Sequence, residues 1–169
     1  MARNIEIKAR IASVDAVLPK ARTLADGDAV TIEQDNTFYA VPHGRLKLRR
    51  FADSSAELIH YHRADTVDAK ASDYVRVATA DPDALDAALT RACGTIGRVT
   101  KRRLLLIAGQ TRIHLDRVDR LGDFIELEVV LRDGEDDAHG IAVAEDLMRA
   151  LGLADAPRVA GAYRDLLLR

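Results

Sequence analysis

Hydrophobic and polar positions alternate along several short stretches of this chain. Residues 4–11 show the clearest case, with aliphatic side chains at every odd position and polar or charged side chains at every even position. A period of two predicts a β-strand, because successive side chains of a strand point to opposite faces. Weaker versions of the pattern, bounded by turn residues, predict seven more strands over residues 29–41, 45–51, 56–63, 72–79, 97–108, 111–118 and 124–131.

Helix signals separate some of these strands. Ser13 and Asp81 are side chains of the type that caps a helix N-terminus, and Gly94 and Gly152 are helix-stopping residues. The predicted helices cover residues 14–24, with Pro19 expected to kink or shorten the first, 82–92 and 135–151, with one short helix between 161 and 169. The polar residues 64–71 are predicted to form a loop, and an interruption of the second strand is predicted near Asp35 and Asn36.

Eight strands with two or three longer helices favour an α+β fold in which antiparallel pairing dominates. No linker or low-complexity tract divides the chain, so we expect a single domain over residues 1–169. The polar faces of several strands carry full charges rather than small polar groups. In an open sheet such faces meet water as cross-strand ion pairs, which is the usual arrangement for one strand. Their recurrence on several strands favours a closed eight-stranded barrel with the charges in its lumen.

Overall composition limits the possible partners. The chain has 169 residues, with 25 basic and 27 acidic side chains and a formal net charge of −2. Such a balance creates no overall field for nucleic acid or an anionic membrane, and 4% aromatic content leaves few stacking platforms for bases. We therefore expect neither a nucleic-acid nor a membrane partner. Cys93 is the sole cysteine, which excludes an intrachain disulfide and fits the expected cytoplasmic location.

Two kinds of charge cluster suggest a specific chemistry. Glu126 and Glu128 are like charges on one strand face, about 7 Å apart by strand rise, and with other carboxylates they could hold hard cations through oxygen. Arg45, Lys47 and Arg49 share the face of another strand and repel one another unless an anion lies among them. Polyphosphate is the anion that best uses arginine forks and lysine point charges together.

These residues resemble those of a known family. In chain order the matching segments cover nearly the whole sequence: Asn4–Lys8, similar to E-x-E-x-K; Gln34–Tyr39, similar to Q-x-D-T-Y-F; Arg45–Arg49, similar to L-R-x-R; Val99–Arg103, similar to V-x-K-x-R; Leu121–Glu128, similar to L-G-x-F-x-E-x-E; and Ala162–Leu167, similar to S-Y-x-x-L-L. Each motif alone is weak, but their order resembles the CYTH family of triphosphate tunnel metalloenzymes. That family includes class IV adenylyl cyclases and thiamine triphosphatases, and the cyclase-like branch is the more similar.

The resemblance implies a fold, metal ligands and phosphate contacts. The fold would be an eight-stranded antiparallel β-barrel, the triphosphate tunnel, with flanking helices. Mg²⁺ or Mn²⁺ would be the cofactor, held by Glu6, Asp116, Glu126 and Glu128. The catalytic residues would be Glu6, Glu126 and Glu128. The phosphates of the substrate would contact Lys8, Lys47, Arg49, Arg63 and Arg103. Strand parity adds Arg45, Lys101 and Arg112 to that set.

Some positions depart from the family pattern or have two interpretations. Asn4 stands where the family has its first glutamate, which removes one negative charge and should weaken one metal site. We interpret His114 as a hydrogen-bonded histidine in the lumen, because metal-bound water is the usual nucleophile at such sites. Tyr163 either closes one mouth of the tunnel or packs as an ordinary core residue.

Three functions are compatible with these features. The leading hypothesis is a metal-dependent phosphohydrolase of inorganic triphosphate, thiamine triphosphate or ATP. An adenylyl cyclase that makes cyclic AMP from ATP is the first alternative. A polyphosphate-binding module without turnover is the second, and Asn4 is the feature that favours it. The oligomeric state stays open, with a homodimer as one option.

Overall fold

Eight antiparallel strands close into a barrel in the computed structural model, which describes residues 2–168. The strands are β1 (Ala2–Arg10), β2 (Val30–Tyr39), β3 (Arg45–Phe51), β4 (Ala56–Arg63), β5 (Lys70–Thr79), β6 (Thr95–Ala108), β7 (Thr111–Val118) and β8 (Gly122–Val130). Their order around the barrel is β1-β5-β4-β3-β2-β6-β7-β8. The first strand closes it, because Asn4 pairs with Ser72 on one side and with Val130 on the other. The predicted α+β fold and eight-stranded antiparallel barrel are confirmed.

Four helices accompany the barrel: α1 (Val14–Leu24), α2 (Pro82–Cys93), α3 (Asp137–Ala150) and α4 (Tyr163–Leu167). The predicted caps are present, since the Ser13 hydroxyl accepts from the amide of Ala16 and the Asp81 carboxylate from the amide of Ala84. Pro19 does not end the first helix, which continues to Leu24. No helix within the described residues has the length and apolar character needed to cross a bilayer.

Two strand predictions were wrong in detail. The second strand runs without a break through Asp35 and Asn36, because neighbouring strands satisfy both polar side chains. Asp35 pairs with Arg98, and the amide of Asn36 donates to the carbonyl of Val99. Part of the predicted loop is also strand, since β5 begins at Lys70.

The main hydrophobic core lies outside the barrel wall. Ile5 and Ile7 are fully buried on the outward face of β1, where α3 packs against the strand, while α1 packs against β6, β7 and β8. Met148 of α3 is buried in the same cluster. Because this core takes the aliphatic faces of β1, β6, β7 and β8, the alternate charged faces of these strands point into the lumen. The helices therefore shield this part of the wall from water on the outside, while the inside is polar.

The chain's last segment fills one end of the lumen, the plugged end. Tyr163 is buried there against Phe38, Val99 and Phe124, and its ring centroid lies 4.9 Å from that of Phe124. Tyr163 therefore both packs and closes that end. Toward the opposite, open end, lumen side chains become partly exposed, as they do along β2 from buried Gln34 to half-buried Ile32.

Candidate functional site

The barrel encloses a cavity of about 300 Å³, and nearly half of its lining residues are charged. Within residues 2–168, eight cationic side chains reach it: Lys8, Lys47, Arg49, Arg63, Arg76, Lys101, Arg103 and Arg112. Four carboxylates reach it: Glu6, Glu57, Glu126 and Glu128. The surplus of cations gives the lumen a positive potential, which favours a multivalent anion.

Cross-strand register brings the predicted carboxylates together. Glu6 of β1 lies opposite Glu128 of β8, and Lys8 lies opposite Glu126. Directly opposed like charges on neighbouring strands are unfavourable unless each has a counterion. Glu6 pairs with Arg63, and Glu128 lies 3.4 Å from Arg112. Glu126 lies 3.0 Å from Lys8 Nζ. The sequence-predicted catalytic glutamates therefore share one surface of the lumen.

Glu126 and Glu128 are both ionised in this environment. Burial alone would raise their pKa values, but Lys8 holds the pKa of Glu126 well below its usual range. Burial likewise raises the pKa of Glu128, and His114, followed by Arg103 and Arg112, lowers it below its usual value. Arg103 lies 3.1 Å from Oε1 of Glu126, and Arg112 lies 3.4 Å from Oε2 of Glu128. Two ionised carboxylates side by side are an oxygen donor set suited to a divalent cation.

His114 lies between these two glutamates on β7. Its Nδ1 atom is 3.6 Å from Oε1 of Glu126 and 3.6 Å from Oε1 of Glu128. That separation is too long for a hydrogen bond, and Nδ1 is a buried atom with no partner among residues 2–168. Ligand atoms of the three residues lie within 4.8 Å of one another. The expected hydrogen-bonded histidine is thus in the lumen, but its Nδ1 lacks the bond.

Asn4 contributes a second buried acceptor without a partner. Its side chain lines the cavity and is 2% exposed, and its Oδ1 has no hydrogen-bond donor among the described residues. Leaving such an oxygen buried costs about 1–3 kcal/mol unless a ligand, ion or water completes it.

Asp116 occupies a different place from the other predicted metal ligands. It is fully buried on the lumen side of β7 at the plugged end, and its carboxylate accepts two bonds from Arg103 at 2.7 Å. Lys101 and the hydroxyl of Tyr163 each donate to it at 2.9 Å. Burial alone would raise its pKa, but the cations of Arg103 and Lys101 lower it. These hydrogen bonds, three to Oδ2 and one to Oδ1, hold Arg103 and Lys101 in place.

Lys47 faces an excess of positive charge. Among residues 2–168, no carboxylate lies within 4.0 Å of its Nζ, which instead lies 5.1 Å from the ring centroid of Tyr61. Burial, together with the cations of Arg49 and Lys101, lowers its pKa well below 10.5. Burial and Arg103 likewise lower the pKa of Arg49. An anion placed among these side chains would stabilise the charged form of each.

A family comparison agrees with this arrangement. The family model described as the CYTH domain matches residues 2–163. The chain belongs to the CYTH domain family. A search of curated protein sequences finds no match.

Solved structures share the fold of this CYTH domain at low sequence identity. The PH1012 protein from Pyrococcus horikoshii is 22% identical with a TM-score of 0.85, over 96% of this chain and 98% of that one. A Vibrio parahaemolyticus protein proposed to be an adenylate cyclase is 20% identical with a TM-score of 0.81, over 98% of both chains. HpAC1 from Hippeastrum, described as having a dominant triphosphatase activity, is 16% identical with a TM-score of 0.68, over 98% of this chain and 95% of that one.

The CYTH lumen does not include Arg45 among its lining residues. Arg45 is the first residue of β3 and lies at the plugged end, where it borders a second cavity of about 430 Å³. Its guanidinium pairs with Asp65 at 2.6 Å and with Asp165 at 3.1 Å. A phosphate contact by Arg45 stays a prediction, and the structure places its charge with two carboxylates.

Two charged lumen residues of the CYTH domain were missed in the sequence. Glu57 of β4 lies 3.3 Å from Arg49, and Arg76 of β5 lies 4.0 Å from Glu57. The alternation of Glu57, Ile59 and Tyr61 with outward residues is the sequence pattern that places Glu57 on the lumen face of β4. This pattern is weak because the inward positions mix charged, aliphatic and aromatic side chains.

Proposed function

We propose that this CYTH domain binds a small triphosphate with a divalent cation in its lumen and hydrolyses it. The observation that carries the proposal is the surplus of eight lumen cations over the four lining carboxylates and Asp116, with Lys47, which has no carboxylate partner among residues 2–168, at its centre. A poorly solvated cation without a counterion is strongly unfavourable. An anionic substrate would supply the missing negative charge.

The cationic residues would bind and align the phosphate chain. Lys47 and Arg49 of β3 and Arg103 of β6 face one cavity, so they can contact neighbouring phosphate groups together. Arginine forks and lysine ammonium groups stabilise the negative charge that spreads over phosphate oxygens during phosphoryl transfer. Asp116 fixes Arg103 through two hydrogen bonds, which reduces the reorganisation needed when the substrate binds.

The carboxylate side of the lumen fits a divalent cation. Glu6, Glu126 and Glu128 would hold it through oxygen, and the partnerless Oδ1 of Asn4 lies among the same lining residues. A bound Mg²⁺ or Mn²⁺ would polarise phosphate oxygens and lower the pKa of a coordinated water. Lys8, 3.0 Å from Glu126, would link the carboxylate side to the phosphate-binding side.

The open end of the lumen supports an organic triphosphate as substrate. Ile32, Phe51, Tyr74 and Leu105 are partly exposed there and line the same cavity as the cations. An apolar or aromatic group next to the phosphate chain would cover these side chains. Inorganic triphosphate would leave them in water.

An adenylyl cyclase is the second candidate, and the same apolar and aromatic side chains at the open end favour it. A nucleobase could lie against Phe51 and Leu105 while the phosphates meet the cations. The ribose 3′-hydroxyl would then attack the α-phosphorus, and pyrophosphate would leave. Cyclic AMP with pyrophosphate identifies this reaction, whereas orthophosphate with a diphosphate identifies hydrolysis.

One activity panel tests the proposal. Inorganic triphosphate, thiamine triphosphate and ATP are each incubated with Mg²⁺ or Mn²⁺, and all phosphate products and cyclic nucleotides are quantified. We expect turnover of an organic triphosphate and a loss of about tenfold to a hundredfold in kcat/KM for Arg103→Met, because a charge-assisted hydrogen bond contributes about 1.5–3 kcal/mol. Arg102→Met is the matched control, since Arg102 is exposed and pairs with Glu33 at 3.3 Å.

The proposal fails if no triphosphate is bound or turned over, or if both arginine variants behave alike. Binding that depends on Arg103 without any turnover would instead support a polyphosphate-binding module. Asn4, which lacks the charge of the family's glutamate, is the residue behind that third candidate.

A further inference from the structure

Two carboxylate oxygens converge on a single imidazole nitrogen in the lumen. Nδ1 of His114 lies 3.6 Å from Oε1 of Glu126 and 3.6 Å from Oε1 of Glu128. The other oxygen of each glutamate faces a cation, namely Lys8 at 3.0 Å and Arg112 at 3.4 Å. The oxygens that face His114 are thus directed away from those lysine and arginine partners.

The three atoms are arranged for a shared ion rather than for hydrogen bonding. His114 is 4% exposed, and its Nδ1 has no hydrogen-bond partner within the described chain. Two ligands bound at about 2.0–2.2 Å to one ion lie about 3–3.5 Å apart, depending on the angle between them. The observed separations of 3.6 Å come within a few tenths of an ångström of that range. Arg103 also approaches Oε1 of Glu126, at 3.1 Å, and leaves that oxygen a second lone pair.

We propose that His114 is a nitrogen ligand of the divalent cation held by Glu126 and Glu128, and that this ligand gives the site a preference for Mn²⁺ or Co²⁺ over Mg²⁺. The inference rests on the proposed function, since it assigns the cation to the same lumen. Mg²⁺ is best served by oxygen ligands alone, whereas imidazole nitrogen binds first-row transition metals more strongly. Co²⁺ should bind more tightly than Mn²⁺, following the general order for these ions.

The nitrogen ligand also compensates for a feature of this sequence. With Asn4 in place of a glutamate, the metal site has one fewer negative charge to attract a hard cation. A neutral imidazole adds a ligand without adding charge, which favours an ion that gains from the metal–nitrogen bond itself. The preference for a transition metal therefore follows from the two residues together.

Pulsed electron paramagnetic resonance of the Mn²⁺-loaded protein tests the assignment without any measurement of activity. We expect a coupling to one ¹⁴N nucleus in the wild type, its replacement by ¹⁵N coupling in protein grown with ¹⁵N-histidine, and its loss in His114→Gln. His139→Gln is the matched control, because His139 is an exposed histidine 3.8 Å from a carboxylate of Glu135 and should leave the coupling intact. The isotope arm uses wild-type protein, so the test survives if His114→Gln does not fold.

The same spectra separate this inference from the proposed function. Added inorganic triphosphate should introduce ³¹P couplings to the bound Mn²⁺. Bound Mn²⁺ with ³¹P but no nitrogen coupling overturns the His114 assignment and keeps the triphosphate site. Nitrogen coupling without ³¹P coupling supports His114 as a metal ligand and counts against triphosphate binding at the metal. In parallel titrations, His114→Gln should weaken Co²⁺ binding about tenfold or more and Mg²⁺ binding much less; equal losses for both ions overturn the metal preference.

Discussion

The buried carboxylate of Asp116 provides the sharpest test of how the lumen is built. The structure predicts that Asp116→Asn destabilises the protein in the absence of any metal. Asp116 accepts four hydrogen bonds, two of them from Arg103 at 2.7 Å and one each from Lys101 and Tyr163 at 2.9 Å. A metal ligand in an empty acidic cluster would behave in the opposite way, because removing its charge would relieve repulsion.

The expected loss can be worked from those contacts. An asparagine amide keeps one acceptor oxygen and turns donors toward the cations, so at least two charge-assisted bonds are lost. At about 1.5–3 kcal/mol each they amount to about 3–6 kcal/mol. Removing one partner from a buried ion pair usually costs about 3–5 kcal/mol. We therefore expect a loss of about 3–5 kcal/mol, which for a chain of this size lowers Tm by roughly 10 °C.

Urea-induced unfolding in metal-depleted chloride buffer measures this loss. Phosphate, sulfate and polycarboxylate chelators must be absent, since any of these anions could bind among the lumen cations and mask the effect. Asp119→Asn is the control, because Asp119 is an exposed carboxylate that accepts a bond from Thr100. An Asp116→Asn protein as stable as the control, or more stable, would refute the reasoning and favour the metal-ligand role implied by the family resemblance.

Three further outcomes are expected. Burial and neighbouring cations lower the pKa of Lys47 in the free protein, whereas bound triphosphate favours the charged form of Lys47. The affinity for triphosphate should therefore be full below the pKa of Lys47 in the free protein and should fall as the pH rises through that pKa. Lys47→Arg should keep the affinity to higher pH in calorimetric titrations, and an unchanged pH profile would contradict this. Tyr163→Phe should lose about 1.5–3 kcal/mol in urea unfolding, because its hydroxyl donates to an ionised carboxylate; no loss would mean that the hydroxyl bond is dispensable. Asn4→Glu should lower the Mn²⁺ concentration needed for half-maximal turnover, and an unchanged requirement would place residue 4 outside the metal shell.

The period-two alternation was enough to predict most of the fold and many of the residues of the candidate site. It assigned Glu6, Lys8 and Lys47 to the lumen, because one face of each strand had to be apolar to meet the helices outside. Lys70 shows where such a pattern fails. A run of polar neighbours suggested a loop, yet Lys70 belongs to β5, is buried, and donates to the carbonyl of Thr66.

The position of a side chain along the barrel axis could not be predicted, because alternation shows which face of the strand a residue lies on and not how far along the barrel it lies. Arg45 and Asp116 both lie on lumen faces by parity, but at the plugged end, where other side chains take up their charges. The closing of that end by Tyr163 depends on long-range packing of the last residues against β6 and β8. The partnerless nitrogen of His114 likewise emerges only from the register of β7 against β8.

A crystal structure of the protein with Mn²⁺ and a slowly hydrolysed triphosphate analogue tests the central claim most directly. Anomalous scattering from manganese locates the ion independently of the phosphates. We expect the ion against Glu126 and Glu128, and the phosphate chain inside the barrel in contact with Lys47, Arg49 and Arg103. A triphosphate bound on the outer surface, or only in the second cavity beside Arg45, with the lumen cations still paired to protein carboxylates, would contradict the account.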